Sequence, residues 1–320
     1  MYLRKKLKFM NFVLIIVGLV LLILGGNWLL KSAVALSLKL NIPKIVIGMT
    51  VVSFATSAPE LIVSINAALS GSSDLALGNV IGSNIANLGL VLGVTLLLGS
   101  MQVQKSFYKT DWPVMMIASL LLYFFLNGDK VITQNEGIIL FSFLIIFLIY
   151  LLRFQKTAAV LDELPEDDEP LPLYKIVLFF VLGGLGLWGG SELLIKGATS
   201  VALEFGVSER VIGVTVISIG TSVPELAASI IAVLKKEKAI SLGNLIGSNV
   251  FNILAVLGIT SIITPITVSD TGLLTSDIFW MLGISFVVLP LVFIPRGLRL
   301  NWKDGVLLLL AYAIFIYLTI

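Results

Sequence analysis

The stretch GMTVVSFATSAPELIVSINAALSGSSDLALGNVIGSNIANLGLVLGV, residues 48–94, returns 165 positions later as GVTVISIGTSVPELAASIIAVLKKEKAISLGNLIGSNVFNILAVLGI, residues 213–259. Polar residues keep their register in both copies, so that Glu60 corresponds to Glu225 and Asn87 to Asn252. Such a match without insertion or deletion indicates a duplicated unit. The match continues upstream of both copies, and the repeat therefore covers most of the chain.

The composition predicts a membrane protein. Of the 320 residues 58% are hydrophobic and only 12% are charged, and the mean hydropathy is +1.07. Ordinary soluble domains carry about 25% charged residues. The chain has neither cysteine nor histidine, which excludes disulfides, thiolate metal sites and histidine-based zinc sites. The net charge of +2 does not indicate a nucleic-acid partner, and we predict the lipid bilayer as surroundings, with no cofactor and no obligate protein partner.

Ten apolar segments are long enough to cross a bilayer, for which ~20 residues are needed. We predict an all-α polytopic membrane protein with spans near 11–37, 43–69, 75–98, 110–127, 134–152, 174–204, 208–234, 240–263, 273–294 and 303–320. Five spans lie in an N-terminal half, 1–152, and five in a C-terminal half, 174–320. Because five is odd, equivalent positions enter the membrane from opposite sides. This is the inverted-topology repeat that secondary transporters use around a site at the midplane.

The two halves are joined by residues 153–173, which contain LDELPEDDEPLP with six acids and three prolines. We interpret this linker as a solvated hinge, since charge runs with prolines stay disordered. The alternative is a loop that binds a regulatory cation.

Lysine and arginine predict the orientation. In the ten-span topology, seven of them lie on the side of the N-terminus and fourteen on the side of the linker. The positive-inside rule then makes the linker cytoplasmic and both termini extracytoplasmic, in what we expect to be a prokaryotic inner membrane. The basic N-terminus opposes this orientation, but it would be absent if Met10 rather than Met1 were the start.

Polar residues within the repeated spans share faces of the predicted helices. In the second span, Glu60 follows Ser53, Thr56 and Ser57 at helical spacing, and in the third span Ser83 and Asn87 do the same. Pro59 is predicted to lie inside the second helix, where it frees the carbonyl of the fourth residue before it. The seventh and eighth spans repeat the pattern.

These side chains offer oxygen atoms, which hard cations such as Ca²⁺ and Na⁺ prefer, and nothing soft for copper or zinc. Burying one charged acid at the bilayer centre costs roughly 2.5–3.5 kcal/mol. Two acids at matched positions, Glu60 and Glu225, therefore suggest a compensating charge, and one Ca²⁺ ion neutralises both. The alternative interpretation is that the polar residues only hold helices together. It applies chiefly to Ser64 and Asn79 and to their counterparts Ser229 and Asn244.

Two copies of G-x-T-x-x-[SA]-x-[GA]-T-S-x-P-E, each followed by G-N-x-[IL]-G-S-N-x-x-[ND], resemble the α-repeats of the sodium/calcium exchangers in the cation/Ca²⁺ antiporter superfamily. The resemblance covers nearly the whole chain. It implies ten helices in inverted halves, exchange of Na⁺ for Ca²⁺ by alternating access, and sliding of spans 1 and 6 across the remainder. It makes Glu60 and Glu225 the central Ca²⁺ ligands. It also assigns to the Na⁺ and Ca²⁺ sites the side chains of Thr56, Ser57, Ser83, Asn87, Thr221, Ser222, Ser248 and Asn252 and the carbonyls of Ser53 and Ser218.

Other functions match the sequence less well. A H⁺/Ca²⁺ antiporter would use Glu60 and Glu225 as proton carriers, but the T-S-x-P-E sequences resemble the Na⁺-coupled branch. Asn252 stands where several relatives have aspartate, which makes a K⁺-dependent exchanger a poorer match. A cation channel is a further alternative, although interrupted helices in inverted halves favour a carrier. An enzyme is not indicated, because no base accompanies the serines.

Overall fold

The computed structural model describes residues 2–154, 171–205, 220–294 and 297–319. Within these ranges the chain folds into helices that we number α1 (Tyr2–Leu40), α2 (Lys44–Thr56), α3 (Ala58–Leu69), α4 (Ser73–Leu98), α5 (Phe107–Leu126), α6 (Gln134–Phe154), α7 (Leu173–Glu204), α8 (Val223–Leu234), α9 (Lys238–Ile263), α10 (Leu273–Phe293) and α11 (Trp302–Thr319). Four two-residue strands lie in loops between helices: β1 (Met101–Gln102), β2 (Val131–Ile132), β3 (Ile266–Thr267) and β4 (Arg299–Leu300).

The helices confirm an all-α polytopic membrane protein. Eight of the described helices are long and apolar enough to cross a bilayer, and α2 with α3 forms a ninth, bent span. The seventh predicted span, 208–234, is described only from Gly220 onward, where it ends in α8. Most of the predicted linker, 153–173, lies outside the described residues.

The second span is broken, which corrects one prediction. Pro59 was expected inside a continuous helix, but α2 ends at Thr56, and α3 begins at Ala58 with Pro59 in its first turn. Between the two helices Ser57 leaves the helical conformation, with φ −89° and ψ 2°, and their axes differ by 45°. The physical reason is that a proline in a first turn lacks an N–H that would have no partner there in any case.

The second repeat breaks at the equivalent residue. Helix α8 begins at Val223, with Pro224 in its first turn, and Ser222 before it has φ −88° and ψ 2°. The two breaks have nearly the same backbone geometry. The duplication seen in the sequence therefore extends to the local structure of this turn.

The strand pairing shows that the halves are inverted. Strands β1 and β2 precede and follow α5, so they lie at opposite ends of one span. Strand β1 pairs with β4, and β2 pairs with β3, both antiparallel. Met101 of β1 and Ile266 of β3 occupy equivalent positions of the repeat, yet their strands lie at opposite ends of the bundle. Equivalent loops therefore face opposite sides of the membrane.

Helices α4 and α9 form the centre of the bundle. In their most apolar windows 78% and 83% of the residues are buried, against 28–39% in the other long spans. These two helices carry both copies of the G-N-x-[IL]-G-S-N sequence, and their small residues allow neighbouring helices to approach closely. The outer pair, α1 and α7, packs along its length at glycines.

Candidate cation-binding site

The two acids of the repeats lie at the breaks just described. Glu60 is in the first turn of α3 and Glu225 in the first turn of α8. Both side chains are completely buried, and their carboxylates are close enough to interact electrostatically. The amino end of a helix carries a partial positive charge, which favours a carboxylate there. The breaks thus place two buried acids at helix ends inside the membrane region.

One oxygen of each carboxylate is held by a serine. The Ser57 hydroxyl donates to Glu225 Oε1 at 3.3 Å, and the Ser83 hydroxyl donates to Glu60 Oε1 at 3.3 Å. The second oxygen, Oε2, is buried in both acids and has no hydrogen-bond partner among the described residues. Each carboxylate is therefore oriented through Oε1, while its Oε2 makes no hydrogen bond to the described part of the chain.

Further hydroxyl contacts join the two halves at this point. Ser83 lies 3.3 Å from Ser222, hydroxyl to hydroxyl, and Thr56 lies 3.3 Å from Ser248 in the same way. Thr56 also donates to Asn244 Oδ1 at 3.2 Å. Residues far apart in the chain thus form one buried polar cluster between α2, α3, α4, α8 and α9.

Asn87 and Asn252 extend the cluster from the central helices. Each stands at the first residue of a π-helical turn, Asn87–Val91 in α4 and Asn252–Leu257 in α9. Such turns interrupt the regular hydrogen bonding of a helix and occur frequently at functional sites. Both side chains are fully buried, and neither Oδ1 has a hydrogen-bond partner within the described ranges.

Within the described ranges, the cluster therefore contains four buried oxygen atoms without a partner: Glu60 Oε2, Glu225 Oε2, Asn87 Oδ1 and Asn252 Oδ1. Buried polar atoms are nearly always paired, so each exception calls for a physical explanation. Carboxylate and amide oxygens are the ligands that hard cations take in proteins. The donor set fits a cation such as Ca²⁺ or Na⁺.

The remaining predicted residues are placed as follows. The Ser53 hydroxyl lies 2.9 Å from the carbonyl of Gly48 and 2.9 Å from that of Asn244, so it contacts backbone between α2 and α9. Its own carbonyl accepts the Ser57 N–H at 2.8 Å. Thr221 is half-buried beside Ser222. Ser218 lies outside the described residues.

The residues suspected of holding helices together do make such contacts. Asn79 Nδ2 donates to Ser64 Oγ at 3.0 Å, and Asn244 Nδ2 donates to Ser229 Oγ at 3.3 Å. Asn244 also accepts from Thr56, and it is therefore joined to the polar cluster as well as to a neighbouring helix.

Sequence reasoning missed Asn84 and Asn249, the asparagines of the two G-S-N sequences. Both are buried and hydrogen-bonded to the asparagines of the cluster. The available signal was their exact repetition in both copies, directly after Ser83 and Ser248.

A family model described as sodium/calcium exchanger protein matches residues 10–153 and 175–320. This chain belongs to the sodium/calcium exchanger family. CaxA of Alkalimonas amylolytica is 39% identical over 312 residues, covering 96% of this chain and 97% of CaxA. The sodium/calcium exchanger MaX1 of Methanosarcina acetivorans is 29% identical over 347 residues, covering 96% and 97%. A structure of the sodium-calcium exchanger NCX_Mj, soaked with zero Na⁺ and Ca²⁺, matches with a TM-score of 0.82 and 26% identity over 96% of this chain and 98% of that one.

Proposed function

We propose that this member of the family is a secondary active antiporter that exchanges Na⁺ for Ca²⁺ by alternating access. The observation that carries the proposal is a set of four oxygens in one buried cluster, from Glu60, Glu225, Asn87 and Asn252, that have no hydrogen-bond partner among the residues the structure describes. Two of the four come from each inverted half. A cation at the cluster is therefore held by residues of both halves, as expected for a site at the midplane between inverted repeats.

Charge favours Ca²⁺ as one substrate. Two ionised carboxylates close together repel each other, and one divalent cation between them removes both the repulsion and the uncompensated buried charge. Among the described residues no group of three or more Asp, Glu, His or Cys could hold a metal ion. The acidic charge of the cluster is thus that of two glutamates, which matches one Ca²⁺ ion.

Na⁺ as the second substrate is favoured by the same oxygens. Neutral hydroxyl oxygens around the acids, from Thr56, Ser57, Ser83 and Ser248, suit a monovalent hard cation. If both ions need Glu60 and Glu225, they cannot occupy the cluster together. Competition for shared ligands couples their movement. In support, MaX1 and NCX_Mj are both named sodium/calcium exchangers.

We assign the remaining predicted ligands to the same site on the strength of the family resemblance. Thr221, Ser222 and the carbonyls of Ser53 and Ser218 belong to the proposed Na⁺ and Ca²⁺ ligands. The halves are assigned to residues 1–152 and 174–320, with the acidic linker 153–173 between them.

We further propose that the linker side faces the cytoplasm and that both termini are extracytoplasmic, in a prokaryotic inner membrane. The excess of lysine and arginine on the linker side supports this orientation. The inner membrane protein YrbG of Escherichia coli, 37% identical over 262 residues and 79% of each chain, supports the location.

The proposal is tested by flux measurements with the purified full chain in proteoliposomes. An outward Na⁺ gradient at constant pH should drive ⁴⁵Ca²⁺ uptake, and collapsing the gradient should stop it. Uptake that ignores Na⁺ and follows a pH gradient would instead assign the chain to H⁺/Ca²⁺ exchange. Ca²⁺ movement without any coupled gradient, at a rate that does not saturate, would identify a channel.

A further inference from the structure

Asn84 of α4 and Asn249 of α9 form a reciprocal pair at the centre of the bundle. Asn84 Nδ2 donates to the Asn249 carbonyl at 3.2 Å, and Asn249 Nδ2 donates to the Asn84 carbonyl at 3.2 Å. The two residues are 165 positions apart and are equally buried. They therefore lie where the two inverted repeats meet.

These bonds determine which end of each amide faces which way. A backbone carbonyl can only accept a hydrogen bond. The Nδ2 of Asn84 must therefore face Asn249, and its Oδ1 must face elsewhere. That Oδ1 accepts from Asn252 Nδ2 at 3.0 Å. The equivalent bond with the halves exchanged is also present, since Asn249 Oδ1 accepts from Asn87 Nδ2 at 3.1 Å.

The orientation passes on to the next residue. The Nδ2 of Asn252 donates to Asn84 Oδ1 and also to Ser83 Oγ at 3.2 Å, so its Oδ1 is the end left buried without a partner in the described part of the chain. The same holds for the Oδ1 of Asn87, whose Nδ2 donates to Asn249. Rotating either amide by half a turn would bring two oxygens together and put an NH₂ group where the unpartnered amide oxygen now lies. A cation would then meet a hydrogen-bond donor in place of a ligand.

We infer that Asn84 and Asn249 are positioning residues that present the amide oxygens of Asn252 and Asn87 to the transported cation. Each acts across the boundary between the repeats, because Asn84 of the first half orients a residue of the second, and Asn249 the reverse. The inference rests on the proposed function, since it concerns ligands of the same site. Asn84 and Asn249 themselves do not contact the ion in this arrangement; each acts through the asparagine to which its Oδ1 is bonded.

A double-mutant cycle on Ca²⁺ affinity tests this direction. The dissociation constant is measured by titration calorimetry on the purified full chain without Na⁺, with melting temperatures recorded in chelator. Asn84→Ala should weaken Ca²⁺ binding about 10- to 100-fold, as loss of groups that orient metal ligands does. In an Asn252→Ala background the same change should add less than about twofold, because the amide it orients is gone.

Asn84 and Asn87, whose side chains are not hydrogen-bonded to each other, are the control pair within the cycle. Asn84→Ala combined with Asn87→Ala should multiply the two single effects, since Asn84 does not orient Asn87. Asn249→Ala gives the corresponding cycle in the other repeat, in which its effect should be coupled to Asn87→Ala and independent of Asn252→Ala. This second cycle serves if an Asn84 variant does not fold. The positioning role is overturned if Asn84→Ala is coupled equally to Asn252→Ala and to Asn87→Ala. It is also overturned if Asn84→Ala leaves the Ca²⁺ dissociation constant unchanged.

Leu122→Ala separates affinity from stability. Leu122 is fully buried in the hydrophobic core on α5 and is not among the proposed ligands. The cavity that alanine leaves should lower the melting temperature in chelator and leave the Ca²⁺ dissociation constant unchanged. A loss of affinity like that of Asn84→Ala would show that affinity merely follows stability, against the inference. Absence of Ca²⁺ binding by the unaltered chain contradicts the proposed function itself, which distinguishes the two failures.

Discussion

Ser57 of the first repeat donates its hydroxyl to Glu225 of the second at 3.3 Å. The break in the second span makes this contact, because Ser57 is the residue between α2 and α3. The turn that places Glu60 at a helix end therefore also supplies a donor to the acid of the other half. The two carboxylates are held before a cation arrives, each by one oxygen.

The charge of the two acids gives the first prediction. Glu60→Gln and Glu225→Gln should each weaken Ca²⁺ binding about 100-fold or more, since removing one member of a buried charge pair costs at least about 3 kcal/mol. The melting temperature in chelator should stay the same or rise, because a buried charge without a partner is removed. Calorimetry and thermal melting with and without Ca²⁺ measure both effects.

Glu136→Gln is the matched control. Glu136 accepts from the Thr133 N–H at 2.8 Å in a capping box at the start of α6, and glutamine also serves in that role. This variant should keep both Ca²⁺ affinity and stability. Stabilisation by Ca²⁺ that survives in both site variants would contradict the two-glutamate site.

The contact between the outer helices gives the second prediction. A methyl group at Gly25 of α1 would lie 2.6 Å from the backbone nitrogen of Leu187, and one at Gly190 of α7 would lie 2.8 Å from the carbonyl of Gly18. Gly25→Ala and Gly190→Ala should therefore force α1 and α7 apart and lower the free energy of unfolding by about 1–3 kcal/mol.

Gly283→Ala provides the comparison for this packing. Gly283 is an exposed residue inside α10, and no described atom lies within 4 Å of the position of an added methyl group. Alanine there should leave the melting temperature unchanged or raise it, because alanine favours helix more than glycine does. If Gly25→Ala and Gly283→Ala melt alike, close packing of α1 on α7 does not contribute to stability.

The two strand pairs, β1 with β4 and β2 with β3, give a prediction on topology. The chain has no cysteine, so single cysteines can be introduced without a background. Lys105 follows β1, Lys303 follows β4, and Lys130 precedes β2; all three are exposed. Because β1 pairs with β4, cysteines at 105 and 303 should be labelled by a membrane-impermeant reagent from one side, and cysteine at 130 from the other.

The positive-inside rule further predicts that positions 105 and 303 face the cytoplasm. Labelling of intact cells and of inside-out vesicles measures both statements. Labelling of positions 105 and 130 from the same side would contradict the inverted arrangement. Opposite labelling with position 130 in the cytoplasm would reverse only the proposed orientation.

The span order and the inversion could be predicted because they depend on patterns that repetition makes visible. Apolar length gives the spans, and five spans per copy give opposite insertion; the pairing of β1 with β4 agrees with both. The identity of Glu60 and Glu225 as buried acids was predictable for the same reason. Few other residue types are as costly inside a membrane, so their presence there is itself a signal.

The roles of individual asparagines could not be predicted in this way. Asn84 and Asn87 have the same chemistry and both recur in the second repeat. What separates them is that Asn84 meets a backbone carbonyl, whereas Asn87 meets another side-chain amide. That difference depends on how α4 packs against α9, which sequence spacing does not contain. The break at Ser57 was missed for a related reason, since a proline pattern alone does not distinguish a kinked helix from two helices.

The last prediction concerns that break. Pro59→Ala restores a backbone N–H and helix propensity at the start of α3, so that α2 and α3 can join into a straighter helix. Glu60 is one residue away and should then turn from the cluster, although no ligand has been removed. Ca²⁺ affinity should fall about 10- to 100-fold, as it does when the support of a metal ligand is lost, while the melting temperature in chelator stays the same or rises. Pro224→Ala should act in the same way on Glu225.

Pro290→Ala is the control, because Pro290 lies inside α10 and belongs to neither repeated motif. Equal Ca²⁺ affinities in Pro59→Ala, Pro224→Ala and Pro290→Ala would show that the bends do not aim the two acids.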